Sequence, residues 1–117
     1  FPDLARQRRS EARALSGGQQ QQLALARVLM QDPEVLLIDE LSLGLAPAVV
    51  EDLLGTLERL KGAGQAMIIV EQSLNVAVAI ADRAVFLEKG TVRFDGPARD
   101  LLERDDLARA VFLGTDR

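Results

Sequence analysis

Apolar residues along the 117-residue chain occur in short continuous runs and in longer stretches with helical spacing. The short runs at 35–38 and 67–70 are typical of parallel strands that are covered on both faces. Helical spacing is found at 19–30, 48–60 and 74–81, and the first of these is apolar enough to predict a mostly enclosed helix. Alternation of strands and helices predicts right-handed βαβ units around a mainly parallel sheet, an α/β fold.

The C-terminal part of the chain predicts a hairpin and one more helix. Val85–Leu87 is a third apolar run, Lys89-Gly90 is a turn signal, and Thr91–Phe94 alternates like a half-exposed antiparallel edge strand. A charged helix is predicted from Pro97 to about Arg109, and the Val-Phe-Leu-Gly segment at 111–114 is interpreted as a terminal anchor.

Composition excludes several classes of function. The chain has no Cys and no His, so disulfides, thiolate metal sites, catalytic triads with histidine and histidine metal sites are excluded. A net charge of −4 argues against general nucleic-acid binding, which needs a basic face. The longest apolar runs are far shorter than the roughly 20 residues that span a bilayer. The one basic cluster is interpreted as a solvated helix face; it consists of Arg6, Arg8, Arg9 and Arg13.

The segment Leu15-Ser16-Gly17-Gly18-Gln19 stands directly before the first helical stretch. Two glycines allow the backbone to approach an anion closely, and the free N–H groups at a helix start favour phosphate. A bare Ser-Gly-Gly is more often only a Ser N-cap with a tight turn. The match is more specific here because it continues into Gln-Gln-Gln-Leu-Ala-Leu-Ala-Arg.

A second motif is the apolar run 35–38 that ends in Asp39 and Glu40. In P-loop ATPases an Asp at the end of a buried strand holds the Mg²⁺ shell, and an adjacent carboxylate can polarise the attacking water. An isolated Asp-Glu after a strand is usually a plain exit into solvent. The two motifs in this order, about twenty residues apart, favour the functional interpretation of both.

Together these segments resemble the motifs of ATP-binding-cassette (ABC) ATPases. Leu15–Gln19 resembles the ABC signature, and Val35–Glu40 resembles the Walker B strand with its catalytic glutamate. Ser42–Pro47 resembles the D-loop, and Gln72 falls at the switch position after the next strand. The pieces follow family order and spacing over essentially the whole chain. The resemblance implies a partial P-loop NTPase fold, with a mainly parallel sheet flanked by helices and a C-terminal antiparallel hairpin.

The resemblance implies ATP and Mg²⁺ as ligands. Residues Leu15, Ser16, Gly17, Gly18 and Gln19 would bind the γ-phosphate of ATP held by an opposing subunit. Asp39 would organise Mg²⁺ through water, while Glu40 would act on the hydrolytic water with Gln72 as the switch residue. The D-loop would cross the dimer interface through Ser42, Leu43, Gly44, Leu45 and Ala46.

Within the family, the closest resemblance is to the second ATP-binding subunit of branched-chain amino-acid importers. The residues that carry it are Ser-Leu-Gly-Leu-Ala-Pro, Val-Glu-Gln, Ile-Ala-Asp-Arg and the closing Phe-Leu-Gly. Gln72 replaces the usual His, and Ala46 replaces the Asp of many cassettes; both fit that subunit. Leu41 stands where Pro is usual, and we expect this to loosen the loop that carries Glu40.

A phosphate-binding loop of the form G-x-x-x-x-G-K-[ST] does not occur in the sequence, since Lys61 and Lys89 lack the upstream glycine spacing and are each followed by Gly. With its start at Phe1-Pro2, the chain is expected to be the C-terminal part of a cassette. Residues 1–14 would then be a remnant of the helical subdomain, and residues 15–117 part of the ATPase core. On its own the chain is predicted to neither bind ATP tightly nor hydrolyse it.

The resemblance also implies partners. These are a second ATP-binding subunit, identical or paralogous, transmembrane permease subunits and indirectly a substrate-binding protein, with the chain at the cytoplasmic face of the membrane. Two alternatives stay open: a cassette of a soluble ABC protein of DNA repair or translation, and a non-catalytic interaction module. The transported amino acid is not encoded in residues that touch only nucleotide.

Overall fold

The structure, a computed structural model, describes residues 1–104 and Leu107. Its α-helices are α1 (Pro2–Arg6), α2 (Gly17–Leu29), α3 (Pro47–Gly62), α4 (Leu74–Ile80) and α5 (Ala98–Leu101). Its strands are β1 (Val35–Asp39), β2 (Ala66–Val70), β3 (Arg83–Glu88) and β4 (Thr91–Pro97). No helix in this described part is long and apolar enough to cross a membrane.

Local sequence signals explain where the longer helices begin and end. Pro47 opens α3 at the first helical position, where a missing N–H costs nothing, and Gly64 follows its end with a φ of 89°. Ser73 caps α4 by accepting a hydrogen bond from the Val76 N–H. Helix α2 starts at Gly17, two residues before the predicted start, because Ser16 is its N-cap.

The strands form two separate sheets. β1 and β2 pair in parallel with Val35 opposite Ala66 and Asp39 opposite Val70, and α3 is the crossover between them. β3 pairs with β4 in antiparallel order, which confirms the predicted hairpin. The α/β fold class is confirmed, but among the described residues the parallel part comprises only two strands. β3 does not join it and pairs with the hairpin strand β4.

The main core lies between α2, α3 and the inner face of the parallel pair. Leu53 and Leu57 of α3 are completely buried there, and each contributes about 1.5–3 kcal/mol of burial free energy. A second cluster joins α4, α5 and the hairpin. The buried members of the first cluster are Leu25, Leu36, Leu41, Leu53, Leu57 and Ile80; those of the second are Leu74, Leu101 and Leu107.

Burial of the parallel strands on both faces was a wrong expectation. Leu36 is 2% exposed and Leu37 is 71% exposed, because successive side chains of a strand point to opposite faces. Ile68 and Val70 on β2 are exposed in the same way. One face of the pair therefore packs on the core, and the other presents apolar side chains to solvent in this structure.

The first long helix is also less enclosed than predicted. Its buried residues are Gly18, Gln22 and Leu25, while Val28 near its end is 41% exposed. This is the one-sided burial of an amphipathic helix.

The C-terminal helix is shorter than predicted in the described residues. α5 ends at Leu101, and the predicted helix continued to about Arg109. The predicted anchor at 111–114 lies outside the described residues.

A charged pair pins the start of the hairpin. The Arg83 guanidinium donates to both carboxylate oxygens of Asp95 at 2.7 Å. These hydrogen bonds lower the pKa of Asp95, because they favour its ionised form. The pair adds an exposed side-chain contact to the backbone ladder between β3 and β4.

Candidate functional site

The loops that follow β1 and β2 enclose a cleft of about 240 Å³. Because the two strands are parallel, both loops lie at the same edge of the sheet. The sequence predicted that the side chains after these strands carry the chemistry. The cleft is lined by Glu40, Ser42, Leu43, Gly44, Glu71, Gln72 and Ser73.

Glu40 and Gln72 meet at this edge. Gln72 Nε2 donates to Glu40 Oε1 at 2.8 Å, and the Glu40 N–H donates to the carbonyl oxygen of Val70 at 2.8 Å. Glu40 has a φ of 51°, which is uncommon for a residue other than glycine. Residues held in this region cost roughly 1–3 kcal/mol, and they cluster at functional sites.

Asp39 is the last residue of β1 and lies opposite Val70. It is exposed and does not line the cleft. The described residues contain no group of three or more His, Cys, Asp or Glu side chains that could hold a metal ion. Mg²⁺ is usually bound by one or two protein carboxylates together with substrate phosphates and water, so the single exposed carboxylate of Asp39 suits a phosphate-bound ion.

The cleft carries negative charge. Glu40 and Glu71 contribute two carboxylates, and none of the seven lining residues is Lys or Arg. Such a surface favours a cation or a polarised water and repels a bare phosphate. The lining side chains therefore offer a phosphate neutral hydrogen-bond donors but no positive charge.

The segment that resembles the D-loop turns between β1 and α3. Gly44 has a φ of 73°, a conformation that glycine adopts without steric cost. Leu43 is 69% exposed, whereas Leu45 packs against the main core. Leu41, which we expected to loosen this loop, is 2% exposed and belongs to that core. Its burial anchors the loop from the inside.

The segment that resembles the signature is the start of α2, away from the cleft. Ser16 Oγ accepts from the Gln19 N–H at 3.2 Å, and Gln19 Oε1 accepts from the Ser16 N–H at 3.0 Å. This reciprocal pair is a capping box. It leaves the N–H groups of Gly17 and Gly18 without a backbone acceptor in the described part of the chain, and a helix start with such N–H groups favours an anion.

Gly18 also has a packing role that the sequence did not reveal. It is buried, and a Cβ placed on it would overlap Val49 Cγ1 and lie 3.3 Å from Val49 Cβ. A Cβ on Gly17 would lie 3.7 Å from Leu45 Cδ2, an ordinary contact. The start of α2 is therefore fitted against the D-loop and the first turn of α3.

This contact predicts different outcomes for two alanine substitutions. Neither glycine has a positive φ, so alanine is compatible with both backbones. We expect Gly18→Ala to lower the free energy of unfolding by about 1–3 kcal/mol through overpacking. Gly17→Ala, the matched control, should leave it within about 0.5 kcal/mol or raise it slightly. Urea denaturation measures both changes.

The second substitution Val49→Ala should relieve the overlap. The double variant Gly18→Ala/Val49→Ala should then lose less free energy of unfolding than the sum of the losses in the two single variants. Equal stabilities of the two glycine variants, or strict additivity in the double variant, would contradict the packing role of Gly18.

The structure thus brings Glu40, Gln72 and Ser42 together, and it keeps the signature segment and Asp39 apart from their cleft. Sequence reasoning missed two contributors, Glu71 and Val49. Glu71 was visible only as part of Val-Glu-Gln, and the side chain that it binds is 29 residues away. Val49 gave no signal beyond its place in an apolar stripe.

The chain is similar to ATP-binding proteins of ABC transporters. A family model described as ABC transporter matches residues 2–42. The high-affinity branched-chain amino acid transport ATP-binding protein BraG of Pseudomonas aeruginosa is 40% identical over 97% of this chain and 48% of its own length. The L-cystine transport system ATP-binding protein TcyN of Escherichia coli is 41% identical over 84% of this chain and 39% of its own length.

A solved structure agrees with this result. MJ1267, an ATP-binding cassette of an ABC transporter, matches 88% of this chain with a TM-score of 0.78 at 24% identity, which shows the fold. This chain covers 42% of that one. It spans less than half the length of these relatives. With the family match, the relatives and the shared fold in agreement, the chain belongs to the ATP-binding cassettes of ABC transporters.

Proposed function

We propose that this chain forms the hydrolytic and signature-bearing part of the ATP-binding subunit of an importer for branched-chain amino acids. The contact between Gln72 and Glu40 is the observation that supports this most strongly. If the two strands simply ended in solvent, nothing would require a hydrogen bond between polar side chains that are 32 residues apart. A hydrolytic site requires such a bond, because a carboxylate acting on water must be held in one orientation.

In the proposed reaction Glu40 orients and polarises the water that attacks the γ-phosphorus of ATP. The bond from that phosphorus to the bridging oxygen breaks, and ADP and inorganic phosphate leave. Gln72 has two N–H groups on its amide, of which one donates to Glu40 and the other is left for a phosphate oxygen. Since glutamine does not ionise, its part is to position and donate.

Asp39 is proposed to hold Mg²⁺ through water. When bound, the ion neutralises phosphate charge that the acidic cleft cannot neutralise. Asp39 is exposed at the strand end, so it can reach an ion held by a nucleotide outside the cleft.

The signature segment is proposed to serve a different ATP from the one that Glu40 attacks. The free N–H groups of Gly17 and Gly18 stand at the positive end of a 13-residue helix. They lie outside the cleft that contains Glu40. A second ATP-binding subunit, identical or paralogous, would present its nucleotide to them, and the D-loop at 42–46 would cross between the subunits.

The chain alone is proposed to be inactive. It has no G-x-x-x-x-G-K-[ST] loop, and its cleft is lined without Lys or Arg. We propose that residues 1–14 belong to a helical subdomain and residues 15–117 to the ATPase core. The phosphate grip would then come from the region of the relatives that this chain does not match.

Calorimetric titration with MgATP tests this proposal. The isolated chain should show no binding at micromolar concentrations. A fusion protein that joins it to the unmatched part of the Pseudomonas relative, in that relative's order, should bind MgATP. Micromolar affinity of the isolated chain would contradict the proposed division of the site.

Branched-chain amino acids are proposed as the cargo because of the motif resemblance and the relative BraG. The partners would be permease subunits in the membrane and, indirectly, a substrate-binding protein, with this chain at the cytoplasmic face. The cystine transport relative shows that similar chains serve other cargo, so the choice of cargo would lie in those partners.

A further inference from the structure

The carboxylate of Glu71 joins the loop after β2 to the loop after β1. Its Oε1 accepts from the Ser42 N–H at 2.7 Å, and its Oε2 accepts from Ser42 Oγ at 2.9 Å. The Ser73 N–H lies 3.4 Å from Oε2 and adds a weaker third donor. Glu71 and Ser42 are both partly buried. We call this arrangement the Glu71 clamp.

The clamp runs beside the pair that is proposed to hydrolyse ATP. Ser42 is two residues after Glu40, and Glu71 is the residue before Gln72. The same two loops are therefore joined twice, once by the partly buried clamp and once by the contact between Gln72 and Glu40. In the loop after β1 one residue separates Glu40 from Ser42, and in the loop after β2 Glu71 and Gln72 are adjacent. Because the two contacts are this close along both loops, the position of one depends on the other.

The two links differ in strength. Both links end on a carboxylate, so the hydrogen bonds of both are charge-assisted. The clamp makes two short ones in a partly buried place. Gln72 is exposed, so water competes for its single bond to Glu40. The clamp is thus the stronger link, and it fixes the distance over which the weaker one forms.

The backbone conformation of Glu40 also indicates that the clamp restrains its loop. Glu40 is held at a φ of 51°, a conformation that costs about 1–2 kcal/mol for a residue with a Cβ. Its own N–H bond to Val70 and the fixed position of Ser42 resist relaxation of this residue. Loss of the clamp would free the loop on one side of Glu40.

We propose that Glu71 is a positioning residue for hydrolysis: by clamping Ser42, it holds Glu40 and Gln72 in contact. This inference rests on the proposed function. Both carboxylate oxygens of Glu71 are engaged with the two loops, so it acts through Glu40 and Gln72 and does not touch the reacting atoms.

The first test uses NMR spectroscopy of the chain itself and needs no ATP. Glu71→Ala and Ser42→Ala should move the side-chain amide signals of Gln72 toward those of the exposed Gln31. They should also speed hydrogen exchange of the Glu40 N–H by at least about tenfold. Glu58→Gln, which removes an exposed charge of α3, is the matched control and should change neither signal.

Ser42→Thr and Ser42→Val separate positioning from folding. The two side chains have nearly the same shape, but only Thr keeps the hydroxyl donor. We expect Ser42→Thr to leave the side-chain amide signals of Gln72 where they are in the unsubstituted chain. Ser42→Val should move these signals part of the way toward those of Gln31. The melting temperatures of the two variants should be close together. Unchanged Gln72 signals in Ser42→Val and Glu71→Ala, or equal signals for Thr and Val, would overturn the proposal.

The second test measures ATP hydrolysis by the fusion protein described above. Glu71→Ala should lower kcat roughly ten- to a hundredfold and leave KM for MgATP nearly unchanged, because the substitution misplaces a group without removing a nucleotide contact. If the unsubstituted fusion hydrolyses no ATP, the proposed function is contradicted, whereas the NMR test of the clamp is unaffected. An active fusion in which Glu71→Ala keeps kcat would overturn the positioning role alone.

Discussion

Glu40→Gln should lower ATP hydrolysis by the fusion protein roughly 10²–10⁴-fold, the range ascribed to a positioned general base. The substitution keeps an oxygen that can accept the 2.8 Å hydrogen bond from Gln72, so the local geometry can persist. What it removes is the negative charge that polarises water. We therefore expect the loss in kcat, with MgATP binding by calorimetry unchanged.

Glu34→Gln is the matched control for this experiment. Glu34 is exposed and precedes β1, so the same chemical change is made at the opposite end of the strand. It should hydrolyse ATP at the rate of the unsubstituted fusion. A Glu40→Gln protein within about tenfold of that rate would contradict the hydrolytic role of Glu40, because a lost general base costs more.

Leu41→Ala should lower the free energy of unfolding by about 2–5 kcal/mol, as large-to-small substitutions in well-packed cores do. Leu41 is 2% exposed and belongs to the cluster that contains Leu53 and Leu57. Since small domains are stable by about 5–15 kcal/mol in total, this is a large fraction of the stability. Urea denaturation followed by circular dichroism measures it.

Leu43→Ala makes the same change two residues further along the same loop. Leu43 is 69% exposed, so its loss should alter the free energy of unfolding by no more than about 0.5 kcal/mol. Similar effects of the two substitutions would contradict the view that burial of Leu41 anchors the loop that carries Glu40.

The order of elements could be predicted from the sequence because hydrophobic periodicity reports local structure directly. The strands around Leu36 and Ile69 and the helix around Leu53 appear where the pattern placed them. Burial of the strands could not be predicted from the same pattern. An apolar run indicates that both faces of a strand favour an apolar environment, but it does not say what covers them. Leu37 is 71% exposed, and no element of the described residues covers its face.

The candidate site, like the fold, could be predicted only in part from the sequence. Glu40 and Gln72 were predicted because their segments resemble ABC motifs, and both follow parallel strands, whose ends lie at one edge. The Glu71 clamp and the contact of Gly18 with Val49 were not predicted, since both depend on how separate loops and helices pack. The core position of Leu41 was not predicted either, because it too depends on how separate elements pack.

The rate of ATP hydrolysis by the fusion protein, compared with that of the isolated chain, tests whether the hydrolytic site is divided between this chain and the region of the relatives that it does not match. We predict steady hydrolysis by the fusion, with a specific rate that rises with protein concentration because the signature of one copy must meet the nucleotide of another. The isolated chain should hydrolyse no ATP above background. Hydrolysis by the isolated chain, or none by a folded fusion that binds MgATP, would contradict the account.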